Sequence, residues 1–413
     1  MVALTPAEAA VAASADAPGA AMAMRIVVSA AKLLGAPRLI PIASAHIDGC
    51  LYHGDSGVAF AEKLVQGGAK ASVPATLNVG ALDLLRAKNV RLANPQRDMA
   101  HRLMRAYQAM GCAPTFTCAP YQAGHRPAAG TDVAWGESNA VAFCNSVLGA
   151  RTNRYGDFLD IACAISGRAP YFGLHVADNR RASVRVNVAG LSGALRGEDA
   201  FYPVFGHGYG REIGADIGLI EGLEGFASED RLKAFGAAAA ASGAVALFHV
   251  GGVTPEAAWA APGPDARTLI VDASAMRAAR AALSTVFGES VDAIAIGSPH
   301  LSLDECAALE AKLAGRASRL PFYACTGRHY IAALDASGAR ARLEAQGITF
   351  IADTCVVVTP ILAEVKGVLM TNSGKFAHYA PGNTGYGVQF GALGDCVESA
   401  VAGRLVREER LWT

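Results

Sequence analysis

The chain has no surplus of positive charge: 36 Lys and Arg side chains face 36 Asp and Glu. No run of Lys or Arg supplies a basic stripe locally. A nucleic-acid or anionic-membrane surface is therefore excluded as the main function. No Lys or Arg precedes Arg25, so the Ala-rich N-terminus lacks the charged start of an export signal. The most apolar window, residues 235–250, is interrupted by Gly and Ser and is shorter than a bilayer crossing requires. A cytoplasmic location is the expectation. None of the nine cysteines forms a Cys-x-x-Cys pair, which removes a zinc ribbon and a thioredoxin-type site. Disulfides are not expected in that compartment, and most of these thiols read as small buried hydrophobes. Any metal site must be assembled from cysteines far apart in sequence. Internal repeats of fixed period and low-complexity linkers are also missing.

What is present is material for a large core. At 413 residues, 52% apolar and 17% charged, the chain is expected to form two or three compact lobes. From residue 236 onward, short apolar runs at 244–250, 293–296, 322–324, 349–352 and 367–370 end in small or polar residues. Several precede amphipathic stretches such as 303–313. This pattern indicates βαβ units, parallel sheet and an α/β fold, with ligand chemistry at the carboxyl ends of the strands. The first half is less regular. A helix over about 20–34 leads to a strand at 38–42, a helix through 60–65, a strand at 71–74 and a helix from about residue 80. Residues 124–132 read as an exposed loop and 182–188 as a strand. The lobes are expected to be residues 1–235 and 236–413.

Several polar segments sit where chemistry is expected. Residues 44–57 place two His, two Asp, two Ser and three Gly just after a strand, and Ser56 with neighbouring amides suits a carboxylate. An ordinary capped turn explains the same residues equally well. Cys118 precedes a proline by two positions in a rigid loop. Cys355 follows the strand at 349–352, and Cys396 opens the last helix, where a helix N-terminus favours thiolate. Cys50, Cys112, Cys144, Cys163, Cys306 and Cys325 read as core. Glu137, Ser138 and Asn139 start a helix, either as caps or as groups that orient a polar substrate. Ser373-Gly374-Lys375 follows the strand at 367–370 but lacks the full phosphate-loop spacing, so a nucleotide site is discounted.

Taken together, these segments resemble the large subunit of the aconitase X family over about residues 20–405. The matching stretches are Ile-Ala-Ser-Ala-His-Ile-Asp-Gly at 42–49, Val-Pro-Ala-Thr-Leu-Asn at 73–78, Thr-Cys-Ala-Pro-Tyr at 117–121 and Gly-Glu-Ser-Asn-Ala at 136–140. Further matches lie at 145–154, Gly-Ser-Pro-His-Leu-Ser at 297–302, Asp-Thr-Cys at 353–355 and Thr-Asn-Ser-Gly-Lys at 371–375. The resemblance implies an aconitase-like, multi-lobed three-layer α/β fold with parallel sheets around a central cleft. It also implies an iron–sulfur centre, with Cys118 and Cys355 at two cluster positions. The third position of the family is a cysteine where this chain has Ser298, a harder and poorer ligand. Either Ser298 or Cys396 then completes the set. A 2Fe–2S cluster is favoured, with 3Fe–4S and 4Fe–4S as alternatives. The resemblance further implies a swivelling small domain, expected here as a separate small subunit.

Two family activities are candidates. One dehydrates cis-3-hydroxy-L-proline to Δ1-pyrroline-2-carboxylate, and the other dehydrates mevalonate 5-phosphate. The Ala-rich, Lys-poor composition favours the amino acid. A non-catalytic scaffold subunit is the alternative from another class. On the family reading, Glu137, Ser138 and Lys375 are the catalytic candidates. Ser56, Asn78, Ser373 and Gly374 bind the small hydroxy acid, and Cys118, Ser298 and Cys355 hold metal.

Overall fold

The computed structural model describes residues 2–363 and 366–412. It divides into two compact units, one of Met1–Leu82 with Leu92–Arg181 and one of Asp83–Arg91 with Ala182–Thr413. The boundary expected at 235/236 falls inside a helix, Glu229–Gly243. That helix packs on helix Phe201–Ile213, and both belong with the strands that begin at Val184. Their shared apolar face, which includes Phe205, Tyr209 and Phe235, keeps residues 182–235 in the second unit.

The first unit contains five short strands: β1 (Leu39–Pro41), β2 (Ala45–Ile47), β3 (Ala75–Leu77), β4 (Ala134–Trp135) and β5 (Arg168–Pro170). Strands β3, β2 and β4 form a parallel sheet in that order, and β1 pairs antiparallel with β5. Helix Pro18–Leu33 buries Ala21, Met24, Val27, Val28 and Ala31, a spacing of three to four that presents one face. That helix packs against helix Leu159–Ser166. The strand expected at 71–74 lies three to four residues later, because Pro74 has no N–H to give a ladder and only its carbonyl is used, by Ala45. The helix expected from residue 80 is not formed. Asp83 accepts from Leu85 N, Arg86 N and the Asn89 side chain, which builds a turn instead. The helix begins at Asn94, with Pro95 in its first turn.

The second unit holds two parallel sheets. The first has the order β8 (His249–Val250), β7 (Gly218–Glu221), β6 (Val184–Asn187), β9 (Arg267–Ile270). The expected strand over 244–250 shrinks to β8, since the preceding helix ends with Ala244 in the left-handed region at φ 59°. The second sheet comprises β10 (Ala293–Leu301), β11 (Phe322–Thr326), β12 (Ile348–Ile351), β13 (Val368–Thr371) and β14 (Gly387–Phe390). Its spatial order is β12-β11-β10-β13-β14, all parallel. Ile294, Ile296, Phe322, Phe350 and Met370 pack with Leu309, Leu313, Leu343 and Val397 from helices on one face. Ala293 and Ala295 alternate to the other face. Helices Gly374–Thr384 and Glu229–Gly243 contact β10 there. Three layers result, as expected for an α/β sheet buried on both sides.

Candidate active site

The chain enters the five-stranded sheet at its centre, builds outward through β11 and β12, then returns to place β13 and β14 on the other side of β10. The direction of winding thus reverses between β10 and β13. In open parallel sheets ligands bind at the carboxyl ends of the strands beside such a switch. Ser298 and His300 come from the end of β10, and Ser373 and Lys375 follow β13. The β10–β11 register shifts between Ile296 and Leu301, so residues 297–300 bulge from the ladder. Gly297 permits this: its φ is +93°, and a Cβ there would stand 2.1 Å from the Cys325 carbonyl oxygen. The Ser298–Pro299 peptide is cis.

The Ser373 hydroxyl donates to the Ser298 carbonyl and accepts from Phe376 N–H at 3.1 Å, capping helix Gly374–Thr384. Its one donor is used, so Ser373 ties the helix start to the Ser298 bulge. Gly374 is required by packing, because a Cβ would lie 2.7 Å from that of Ala238 and 3.1 Å from Pro203 O. Lys375 occupies the first turn and is partly buried.

His300 is fully buried, and its Nε2 lies 3.2 Å from Thr354 O. Burial pushes its pKa down to about 4, and the nearby His329, Lys233 and Lys375 act in the same direction. Behind it, Lys233 is buried and paired with Asp230 at 2.7 Å and with Glu305. The loop after β12 carries Asp353 at φ +64°. Arg328 grips that carboxylate with two nitrogens at 2.7 and 2.8 Å, and Leu84 N–H adds a bond at 3.3 Å. Cys355 follows two residues on. Beside it, Thr354 Oγ1 is buried without a hydrogen-bond partner, as are both ring nitrogens of His329 among the described residues.

The first unit assembles its own polar group. Asp160 is fully buried and accepts Asp48 N–H at 2.6 Å, Gly49 N–H at 3.3 Å and Ile161 N–H at 2.6 Å. Burial pushes its pKa up to about 8. The Asn78 side-chain amide donates to Asp48, and the Cys50 thiol donates to Asn78 O at 3.1 Å. Gly136 lies tight against this pair, since a Cβ there would be 2.8 Å from Asp48 Cβ and 3.0 Å from Asp160 Oδ2. The next residue, Glu137, caps helix Ser138–Phe143 by accepting from Ala140 N–H at 3.0 Å, and Ser138 donates to it at 3.3 Å. Asn139 then donates to Cys118 O at 2.7 Å, which fixes the Cys118 loop. A relay runs alongside: Thr76 Oγ1 meets Nδ1 of His46 at 2.9 Å and Nδ1 of His125 at 2.7 Å, and His125 Nε2 meets Ser44 Oγ at 2.8 Å. The single Thr76 hydroxyl proton reaches only one ring, so the other ring donates to Thr76. Burial holds both histidines low, His125 at about 4.

The nine cysteines separate by environment. Cys118 and Cys355 are the two most solvent-accessible, at 6% and 7%, and both lie outside helices and strands. Cys112 and Cys306 are pushed up to about 12 by burial, and Cys50, Cys144 and Cys163 are also raised by burial. Cys396 is not a ligand candidate. It lies one turn into helix Leu393–Ala402, fully buried in the apolar layer with Leu309 and Val397, and burial raises its pKa. Among the described residues, no group of three or more His, Cys, Asp or Glu side chains is arranged to hold a metal ion.

Within the first unit, Asn78, Glu137 and Ser138 are linked to the Asp48 turn and, through Asn139, to Cys118. Within the second, Ser298, Ser373 and Lys375 gather at the switch point. Ser56 does not join either group: it is exposed in the first turn of helix Asp55–Gln66. Sequence reasoning missed Asp160, His125, His329 and Arg328. A single carboxylate within the apolar helix Leu159–Ser166 was a usable signal for Asp160, since such a group must find partners.

Parallel sheets covered by helices, with buried hydroxyls and a buried histidine at the switch point of one of them, define a multi-lobed α/β protein. Models of the aconitase X first, second and third domains match residues 1–178, 182–281 and 291–402. The chain belongs to the aconitase X family. It is 44% identical to a cis-3-hydroxy-L-proline dehydratase of Pseudomonas aeruginosa, over 93% of this chain and 67% of that protein. Identity to a cis-3-hydroxy-L-proline dehydratase of Hypocrea jecorina is 40%, over 92% and 65%. A phosphomevalonate dehydratase large subunit of Methanothermobacter thermautotrophicus is 39% identical, over 88% and 90%. The chain thus spans about two thirds of the length of these two hydroxyproline dehydratases. The crystal structure of Thermococcus kodakaraensis aconitase X in its holo form superposes with a TM-score of 0.88 at 33% identity, covering 97% of this chain and all of that one. No helix among the described residues is long and apolar enough to cross a membrane.

Proposed function

We propose that the chain is the catalytic part of a hydro-lyase that dehydrates cis-3-hydroxy-L-proline. The 44% and 40% identity to bacterial and fungal enzymes of that name carries the substrate choice. Mevalonate 5-phosphate is the second reading, supported by the 39% identity to a phosphomevalonate dehydratase large subunit. In the cis isomer the hydroxyl and the carboxylate share a ring face, so the Cα hydrogen lies on the other. Elimination is anti: a base removes the Cα proton, the C3–O bond breaks with loss of water, and the resulting enamine tautomerises to Δ1-pyrroline-2-carboxylate.

The donor set suits an iron–sulfur centre. Cys118 and Cys355 are the least buried of the nine thiols, each on a clamped loop, and Thr354 Oγ1 next to Cys355 is a buried polar atom with no hydrogen-bond partner among the described residues. Ser298 is the proposed third ligand, with its bulge held by Ser373, and two irons are the favoured count. When bound, the centre supplies a Lewis acid for the departing hydroxyl. The chain's own groups orient the substrate. Lys375, a cation at a helix start beside neutral His300, suits the substrate carboxylate. In the first unit Asn78, which donates to Asp48, and Glu137 and Ser138 at the start of their helix are the proposed hydrogen-bonding groups. A small swivelling-domain subunit is the proposed partner, by analogy with the phosphomevalonate dehydratase relative, which is named as a large subunit. The test is turnover with both substrates offered side by side to the chain co-expressed with a small subunit. Dehydration of the phosphorylated substrate alone would select the second reading.

A further inference from the structure

Beyond the edge strand β14, two strands over from β10, the second unit carries a cavity of about 370 Å³. The segment after helix Ala273–Ala282 closes one side by running along that edge. Thr285 N–H donates to Val388 O at 2.9 Å, and Phe390 N–H donates to Ser284 Oγ at 3.0 Å. Three guanidinium groups line the cavity, those of Arg277, Arg280 and Arg407. Among the described residues Glu409 is the one carboxylate in the lining, and Arg280 takes both of its oxygens. The lining therefore carries a formal charge of +2, three cations less one anion.

Arg407 is the telling member. It is partly buried, and its Nη2 donates to Gln389 Oε1 at 2.6 Å and to Ser284 Oγ at 3.1 Å. Its Nε is buried without a hydrogen-bond partner among the described residues. Burial and the neighbouring Arg280 both push its pKa down. Asp395 stands nearby, but its oxygens accept Ala392 and Glu408 N–H. Among the described residues neither Arg407 nor Arg277 has a carboxylate in hydrogen-bond contact; Arg277 reaches Trp412 O at 3.4 Å. Arg280 has its anion in Glu409, whereas the half-buried Arg407 guanidinium, facing Arg280, costs free energy unless an anion joins it. Their planar forks match oxyanions in a bidentate way.

We propose that this cavity binds a small, multiply charged oxyanion, a phosphate or polycarboxylate group, at a place separate from the dehydratase site. Arg407 Nε and the outer face of Arg277 supply the donors not taken by protein acceptors. The Trp412 ring, with the Arg280 guanidinium 5.0 Å from its centroid, gives the cavity an aromatic wall. Phe287, also in the lining, is 97% exposed and extends the apolar surface for an anion carried on an organic body.

The test is isothermal titration at low ionic strength of the intact protein, its Arg407→Gln form and its Arg277→Gln form. Inorganic phosphate and citrate are the probes, in separate arms that distinguish the two sources of oxyanion. Saturable one-to-one binding of at least one probe is expected, weakened tenfold or more in each variant. Absence of saturable binding of either probe overturns the proposal. Binding that both variants retain at full strength overturns it too, because the ion is then held elsewhere. Should Arg407→Gln fail to fold by circular dichroism, the exposed Arg277 position decides alone. The titration uses no substrate, so its failure is distinct from a failure of the dehydratase reading.

Discussion

Asp160 holds Asp48 by its backbone: the buried carboxylate accepts the Asp48 N–H at 2.6 Å, while Asn78 donates to the Asp48 side chain. Position and orientation of the turn after β2 thus depend on an acid 112 residues away in sequence. Each backbone N–H left in the interior without its acceptor costs about 1–3 kcal/mol. Asp160→Ala is expected to lower the denaturant midpoint and to reduce turnover at least tenfold through displacement of the Asp48–Asn78 pair. Retention of full turnover in Asp160→Ala would remove this turn from the active site.

The same residue sets a pH dependence. Its folded pKa, about 8, lies above the ordinary value of 3.8, so folding favours the protonated form. This contribution is fully present below about pH 4 and is lost as pH rises through about 8. Asp160→Asn is therefore expected to flatten the fall in stability between those limits. Melting temperatures of both forms across that range check the sign.

Arg328 grips Asp353 two residues before Cys355. Asp353 has no exposed side-chain surface, so removal of its partner strands a buried charge, at a cost of about 3–5 kcal/mol. Arg328→Leu is expected to lower stability and also to lower iron per chain, whereas Arg328→Lys restores only part of each. Iron and sulfide analysis of the purified variants separates this effect from a purely structural one.

The bulge at Ser298 depends on Gly297, where a Cβ would overlap the Cys325 carbonyl and φ is positive. Gly297→Ala is expected to cost about 3 kcal/mol or more from backbone strain and overpacking. Its signature is a lower melting temperature together with lost activity, in a chain whose secondary structure by circular dichroism is retained.

Much of the second unit was legible because parallel strands buried on both faces read as short apolar runs. Helix Leu303–Leu313 and the strands β11 to β13 lie within two residues of their expected limits, whereas β10 runs five residues past its expected end. The first unit was harder. Its strands are only two or three residues long, and Asp83 builds a turn where apolar residues suggested helix. The division at Arg181/Ala182 was illegible because it depends on which sheet the strand at Val184 joins, and strand pairing is not written in local pattern. Of the candidate site, motif residues such as Asn78, Glu137 and Lys375 stand out in the sequence itself. Asp160, which fixes the Asp48 turn, and Arg328, which grips Asp353, act across 112 and 25 residues of sequence and became apparent only from their hydrogen bonds.

The most direct measurement is iron content, visible absorbance and cis-3-hydroxy-L-proline turnover of anaerobically purified protein, compared among the native chain, Cys118→Ala, Cys355→Ala and Cys396→Ala. Cys118→Ala and Cys355→Ala are expected to lose iron, absorbance and turnover together. Cys396→Ala should keep all three and lose only stability. Full turnover in an iron-depleted Cys355→Ala protein would contradict a catalytic role for iron.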